Sequence, residues 1–330
     1  MLRFFRSNHP SALVGLLALS MLLWMPQAAV PTPELVLPAS LFFRLLAPES
    51  LPSWLPYATA PAAWVCALSA HWFVDRQGLS EESTYVTAMV FLVLLSMAPG
   101  GGLYSPATWA ALFFMLSLRR LFRVLDEKRG RDEVVHAGFL LGVAMLFHLW
   151  TIILIPLYAA VLVRFRSDLF REILLLLVSV ILPAFFLGAS LLFAEKTDAF
   201  IAAVPDFSPE LGFQAGILGW TVTAWLALLI IFGMTSIARS GLLREIRYRR
   251  IYQVLVLLML LLPVLPAVSP GKWYDAMPLV MAPASWMGGI FWSRQRLGFW
   301  SRAAFGFMIL VWMASQLWPL RDRLSLPFLS

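Results

Sequence analysis

The chain has 330 residues, of which 61% are hydrophobic and only 13% charged, and its formal net charge is +7. A soluble domain carries about 25% charged residues, so this composition cannot cover a soluble surface. The basic excess does not point to nucleic acid, because Arg and Lys cluster at the ends of apolar blocks, where membrane topology places them.

Apolar blocks joined by short Arg-rich connectors are the layout of helices crossing a bilayer, each satisfying its own backbone. The alternation of a membrane β-barrel is absent. The fold class predicted is an all-α, polytopic transmembrane helical bundle of about eleven membrane segments, with 1–330 as a single integral membrane domain. A lone Cys66 excludes an intramolecular disulfide and a multi-thiolate metal site, and reads as a small apolar helix residue.

In chain order, the first span covers 11–25. Arg3 and Arg6 precede it and Pro26-Gln27-Ala28-Ala29 follows, as in a cleaved signal peptide; the many later spans favour a retained helix. Pro26, Pro31, Pro33 and Pro38 then oppose regular helix. Within that stretch 39–46 reads as a short interfacial amphipathic helix with Arg44 snorkelling. Spans two to four follow at 57–74, 83–98 and 107–121.

The apolar stretch 136–165 has cations on both flanks. Arg119, Arg120, Arg123, Lys128, Arg129 and Arg131 precede it, and Arg164, Arg166 and Arg171 follow. A single crossing would put one cluster outside, against the positive-inside rule. A short central helical hairpin over 137–165, breaking near Trp150-Thr151, is predicted instead. Spans seven to eleven are placed at 172–193, 215–238, 251–268, 276–292 and 303–318. With the amino terminus in the cytoplasm, Arg44, Lys196, Lys272, Arg321 and Arg323 fall outside, five of 25 basic residues, leaving 20 inside. The carboxyl terminus then lies in the periplasm. The outer loop 195–214 carries four acids and one lysine, a net of −3.

The opening Met1-Leu-Arg-Phe-Phe-Arg-Ser-Asn-His-Pro10 resembles the start of a family of bacterial multi-pass membrane proteins, domain of unknown function 6427. So do Gly78-Leu-Ser-Glu-Glu-Ser-Thr-Tyr85, Ser117-Leu-Arg-Arg120, the run from Gly138 through His148 to Trp150, and Ser269-Pro-Gly-Lys272. This resemblance implies a multi-pass architecture in a bacterial inner membrane. A second one concerns chemistry. A charged inner loop, Gly138-x-x-x-Gly142, His148, Pro156 and Arg164 look like the central segment of polysaccharide polymerases and polyprenyl-phosphate-sugar-dependent glycosyltransferases. It implies outward loops that handle lipid-linked sugars. The chain departs from those families in its first outer loop, which holds only Glu34 and Glu49 in place of an acid pair.

Candidate site residues follow. His148 is an ionisable group in an apolar hairpin, read as a proton relay or a hydrogen bond to a lipid phosphate, or else as a neutral side chain bonded to a helix carbonyl. Asp198, with Asp206 and Glu210, offers a carboxylate base to a sugar hydroxyl or oxygen ligands to a cation; a solvated acidic loop is the plain alternative. Lys272, Tyr274 and Asp275 form a compact polar cluster. Lys272 is placed to meet a lipid pyrophosphate, with Trp273 and Tyr274 as interfacial aromatics otherwise. Asp198 and Asp275 are the catalytic candidates; Arg44, His148, Lys272 and Tyr274 are the substrate-binding candidates. Gly138 and Gly142 are expected to pack helices within the chain. No metal site and no cofactor motif is recognised. Membrane lipids and a polyprenyl-phosphate-linked sugar are the expected partners, with a protein partner left open. The functional expectation is a glycosyltransferase-like or polymerase-like protein at the outer face of the inner membrane. A non-enzymatic subunit or scaffold is the alternative, and a transporter ranks third for want of an inverted repeat.

Overall fold

A computed structural model of the protein describes residues 2–6, 9–28, 40, 55–80, 84–97, 106–126, 130–166, 168–195, 217–268, 276–294 and 299–324. Among these the regular structure is helical, with no strand. The helices of eleven residues or more are α1 (Pro10–Ala28), α2 (Leu55–Arg76), α3 (Val86–Ser96), α4 (Pro106–Asp126), α5 (Arg131–Phe147), α6 (Ile155–Phe165), α7 (Leu169–Phe193), α8 (Ile217–Arg239), α9 (Ile246–Leu261), α10 (Met277–Arg294) and α11 (Phe299–Leu324). Each of the eleven expected membrane segments therefore holds a helix; the interfacial helix expected over 39–46 lies, apart from Ser40, outside the described residues.

The expected number of membrane spans needs correction. Three described helical stretches are long and apolar enough to cross a membrane: Leu169–Phe193, Gly219–Arg239 and Ile246–Pro266. The apolar stretches Pro10–Trp24, Val86–Ser96 and Leu149–Phe165 are too short, and α4 and α10 fall short by composition. Helix α4 ends on Arg119, Arg120, Arg123 and Asp126. Helix α10 carries Pro278, Pro283, Trp286, Gly288 and Gly289. Such residues lower the mean hydropathy, and in α10 Trp286 and Gly289 also pack closely against neighbouring helices.

Helices α3 and α10 form the centre. Every residue of α3 is buried, as is α10 from Met277 to Trp292. Glycine permits the contact: a Cβ on Gly289 would collide with Thr87 of α3, and one on Gly233 of α8 with Met287 of α10. Phe73 of α2 stacks on Trp286 with ring centroids 4.0 Å apart, and meets Phe122 of α4 edge-on at 5.1 Å. Around this core lie α1, α2, α4 and α8, and the α5–α6 unit packs outside α4. Helix α7 packs against α5 and leaves its other side open. Phe170, Leu174, Val178, Ile181, Phe185, Phe186 and Phe193 are all exposed along it. An apolar face that extensive is untenable in water and suits lipid or another apolar surface.

The ends of the helices meet at one basic rim, where arginines donate to backbone carbonyls. Arg166 Nη2 reaches Val124 O at 3.0 Å and Arg250 Nη1 reaches Leu125 O at 3.1 Å, both in the last turn of α4. Arg6 Nη2 donates to Ser293 O at 2.7 Å, and Arg294 Nε to Leu79 O at 2.8 Å. Val124, Leu125 and Ser293 lie in the last turns of their helices, where carbonyls lack partners within the helix and carry its negative dipole end, so a guanidinium there is favoured twice; Leu79 lies just past the end of α2. At the opposite end, Gln316 Nε2 of α11 donates to Ser96 O at the end of α3, 2.6 Å away.

A hairpin with a buried histidine at its apex

The stretch 131–165 doubles back. Helix α5 runs from Arg131 to Phe147, the chain is extended at His148, a 3-10 turn covers Leu149–Leu154, and α6 returns from Ile155 to Phe165. The return is fixed at mid-height. Ser117 Oγ of α4 lies 2.5 Å from Ala137 O near the start of α5 and 2.7 Å from Tyr158 Oη in α6. A serine hydroxyl has one proton, and a carbonyl oxygen can only accept, so that proton goes to Ala137 O. Tyr158 is therefore the donor to Ser117. The three groups form a buried chain, Tyr158 to Ser117 to Ala137, that sets α6 level with α5.

The break spans 148–154 and so contains the expected Trp150-Thr151. Pro156 explains the delay before α6 starts, since its ring suits only the first helical positions. One detail differs from expectation: the first arm is longer than a short central helix, because it begins at Arg131 within the charged connector. Asp132 and Glu133 occupy its first turn, where carboxylates favour the positive dipole end.

Helix α5 also sits very close to α7. A Cβ on Gly138 would come within 2.8 Å of Ser179 Cβ and 2.9 Å of Leu176 O, and one on Gly142 would overlap Val180 O. The Gly-x-x-x-Gly face thus packs within the chain.

The rim end of the hairpin is pinned by ion pairs. Arg120 and Arg123 both reach Glu133, each with a contact of 3.1 Å, and Arg131 reaches Asp168 at 2.9 Å. Burial alone would raise the Glu133 carboxyl, but hydrogen bonds and charge from Arg123 and Arg120 outweigh it and hold it below the ordinary glutamate value. Glu172, buried in the first turn of α7, faces Arg166 Nε at 3.6 Å. Sequence reasoning read these cations as topology and missed the pairs; the intervals between Arg120, Arg123 and Glu133 give no helix-face signal, because a connector separates them.

His148 closes the apex. Its amide donates to Ala144 O at 2.9 Å, and its carbonyl accepts from Thr151 Oγ1 at 2.7 Å. The residue is 2% exposed, and among the described residues its Nε2 has no hydrogen-bond partner. A buried ring nitrogen left unpaired costs about 1–3 kcal/mol, so it marks a position where an incoming donor or acceptor is favoured. The other candidates, Arg44, Asp198, Lys272, Tyr274 and Asp275, lie outside the described residues. Among the described residues no group of three or more His, Cys, Asp or Glu gathers where a metal ion would sit.

The architecture is that of a helical bundle bearing membrane-length apolar helices and one internal hairpin. No family model matches the chain, so the resemblance to domain of unknown function 6427 has no family match behind it. No curated protein matches it either. Among solved structures, the apo oligosaccharyltransferase of Archaeoglobus fulgidus superposes with a TM-score of 0.48 and 14% identity, over 94% of this chain and 55% of that one. The chain thus spans about half the length of that protein. A likeness of this size transfers neither activity nor substrate.

Proposed function

We propose that the chain is a multi-pass inner-membrane protein that acts on a polyprenyl-phosphate-linked sugar at the outer face, with the hairpin entering the bilayer from the basic rim and turning back. The observation that carries the reading is the buried Nε2 of His148 at the hairpin apex, which has no hydrogen-bond partner among the described residues. Helix α5 has 17 residues. It lifts the apex about 25 Å above Arg131 at 1.5 Å per residue. A hydrocarbon core is about 30 Å thick, so with Arg131 at the inner boundary His148 stands about 5 Å inside the outer one, and the reading has the lipid phosphate drawn down to meet it. In this reading His148 offers a hydrogen bond to that phosphate, Lys272 and Arg44 supply its counter-charge with Tyr274, and Asp198 or Asp275 takes the proton of an acceptor hydroxyl.

The test is turnover of a purified polyprenyl-pyrophosphate-linked oligosaccharide by the protein in liposomes. His148→Ala, Lys272→Ala, Asp198→Asn and Asp275→Asn are compared with the parent at equal incorporation. A loss of tenfold or more in His148→Ala and in at least one carboxamide variant supports the reading. Unchanged turnover in all four sinks the site, and no turnover by the parent sinks the activity. The second reading, a non-enzymatic subunit of an envelope complex, is favoured by the exposed apolar face of α7, which suits a partner helix as well as lipid. Co-purification of a stoichiometric membrane partner, lost when Phe185 and Phe186 are changed to Ala, would favour that second reading.

A further inference from the structure

An open groove of about 800 Å³ runs between α6 and α9, a size within the roughly 300–1,000 Å³ range of small-molecule sites. Its two walls are antiparallel at the basic rim, where α6 ends and α9 begins; Arg250 Cζ lies 5.8 Å from the Phe165 ring centroid. The lining is graded along this axis. Arg164, Tyr252 and Gln253 stand at the rim end, and Ala160, Val256 and Leu257 lie deeper.

The polar groups at the rim end are uncommitted. Arg164 is exposed, and among the described residues neither it, Tyr252 nor Gln253 has a hydrogen-bond or ion-pair partner. Arg166, two residues on, is engaged by Glu172 at 3.6 Å and by Val124 O at 3.0 Å. Arg164 is therefore the cation that the groove presents. A guanidinium with adjacent hydroxyl and amide donors matches phosphate oxygens in geometry and charge. From Ala160 to Phe165 the helix rises about 8 Å, enough for a glycerol backbone and the first methylenes of a chain. The remaining chain would run along the exposed Leu257 and Leu260 of α9.

We infer that this groove binds one anionic phospholipid of the leaflet at the basic rim, its phosphate on Arg164 and its proximal chain against Ala160, Val256 and Leu257. An anionic headgroup is favoured over a zwitterionic one because a terminal ammonium would meet Arg249 and Arg250 in the first turns of α9. The inference rests on membrane residence and is independent of the glycan reading.

The experiment is native mass spectrometry of the full chain released from neutral detergent, titrated in turn with phosphatidylglycerol, phosphatidylcholine and polyprenyl phosphate. Co-flotation with vesicles reports membrane residence separately. The expected result is one retained phosphatidylglycerol, bound at least fivefold more tightly than phosphatidylcholine. Arg164→Gln is expected to abolish that preference, while Arg239→Gln, on the same rim but away from the groove, keeps it. Ala160→Trp obstructs the groove without changing a charge and is expected to lower occupancy at least fivefold at unchanged helicity, so the inference does not depend on one variant's folding. Equal retention of the two phospholipids, equal effects of Arg164→Gln and Arg239→Gln, or preferential retention of polyprenyl phosphate would each overturn it.

Discussion

Gly142 and Gly306 are both helical glycines in an apolar chain, yet they sit in opposite surroundings. A Cβ at Gly142 overlaps Val180 O and lies 3.0 Å from Pro183 Cγ and Cδ, whereas one at Gly306 meets nothing within 4 Å. Backbone and a proline ring cannot step aside as the tip of a flexible side chain does. Gly142→Ala is expected to destabilise the protein by about 1–3 kcal/mol, as overpacking does, with Gly306→Ala neutral or slightly stabilising in the same unfolding measurement. A different residue-scale effect concerns Glu133, whose carboxyl is held below its ordinary value of 4.5. A depressed folded value means that its ion pairs contribute stability above that pH, and that the contribution is lost as pH falls through the folded value. Thermal unfolding in detergent, followed from about pH 7 down to about pH 3, should therefore fall less steeply for Glu133→Gln than for the parent. Identical slopes would show that the Arg120 and Arg123 contacts contribute nothing.

At the scale of the element, the hairpin was legible because charge placement is one-dimensional. Cations on both flanks of an apolar stretch demand that both flanks lie together, and the rim contacts Arg131 to Asp168 and Arg166 to Val124 O place them together. What holds the arms in register was not legible. Ser117 and Tyr158 are separated by 41 positions, and nothing in either neighbourhood announces a hydrogen bond. Helices apolar on all sides carry no periodic signal of which face meets which neighbour. The same lack hid the arginine contacts to helix-end carbonyls and the groove beside Arg164. The buried Cys66 makes a Cys66→Ala background convenient for mapping the hairpin. In intact cells and inverted vesicles, cysteines at Asp132 and Asp168 should react with an impermeant maleimide from one side, and a cysteine at Glu195 from the other. Labelling of Asp132 and Asp168 positions from opposite sides would replace the hairpin with a single crossing.

Across the whole molecule the hairpin acts through parity. Every helix after it changes sides if 131–165 crosses once instead of turning back, so one local feature decides where the chain ends. The folded chain supplies an internal check. Helix α10 ends at the basic rim, where Arg294 meets Leu79 O, while α11 carries Gln316 to Ser96 at the far end of α3. The carboxyl-terminal half of α11 is thus at the end of the bundle opposite the arginines. If those arginines face the cytoplasm, as positive-inside topology requires, the carboxyl terminus faces outward. A fusion of alkaline phosphatase after Ser330 should then be active, because that enzyme matures only in an oxidising compartment, and a fluorescent protein needing the cytoplasm should be dark there. Moving either reporter to a point between Arg239 and Ile246 should invert both signals, since that connector belongs to the basic rim. A cytoplasmic carboxyl terminus with the connector also cytoplasmic would require an extra crossing between them. It would break the link between rim and orientation while leaving the long apolar helices as membrane helices.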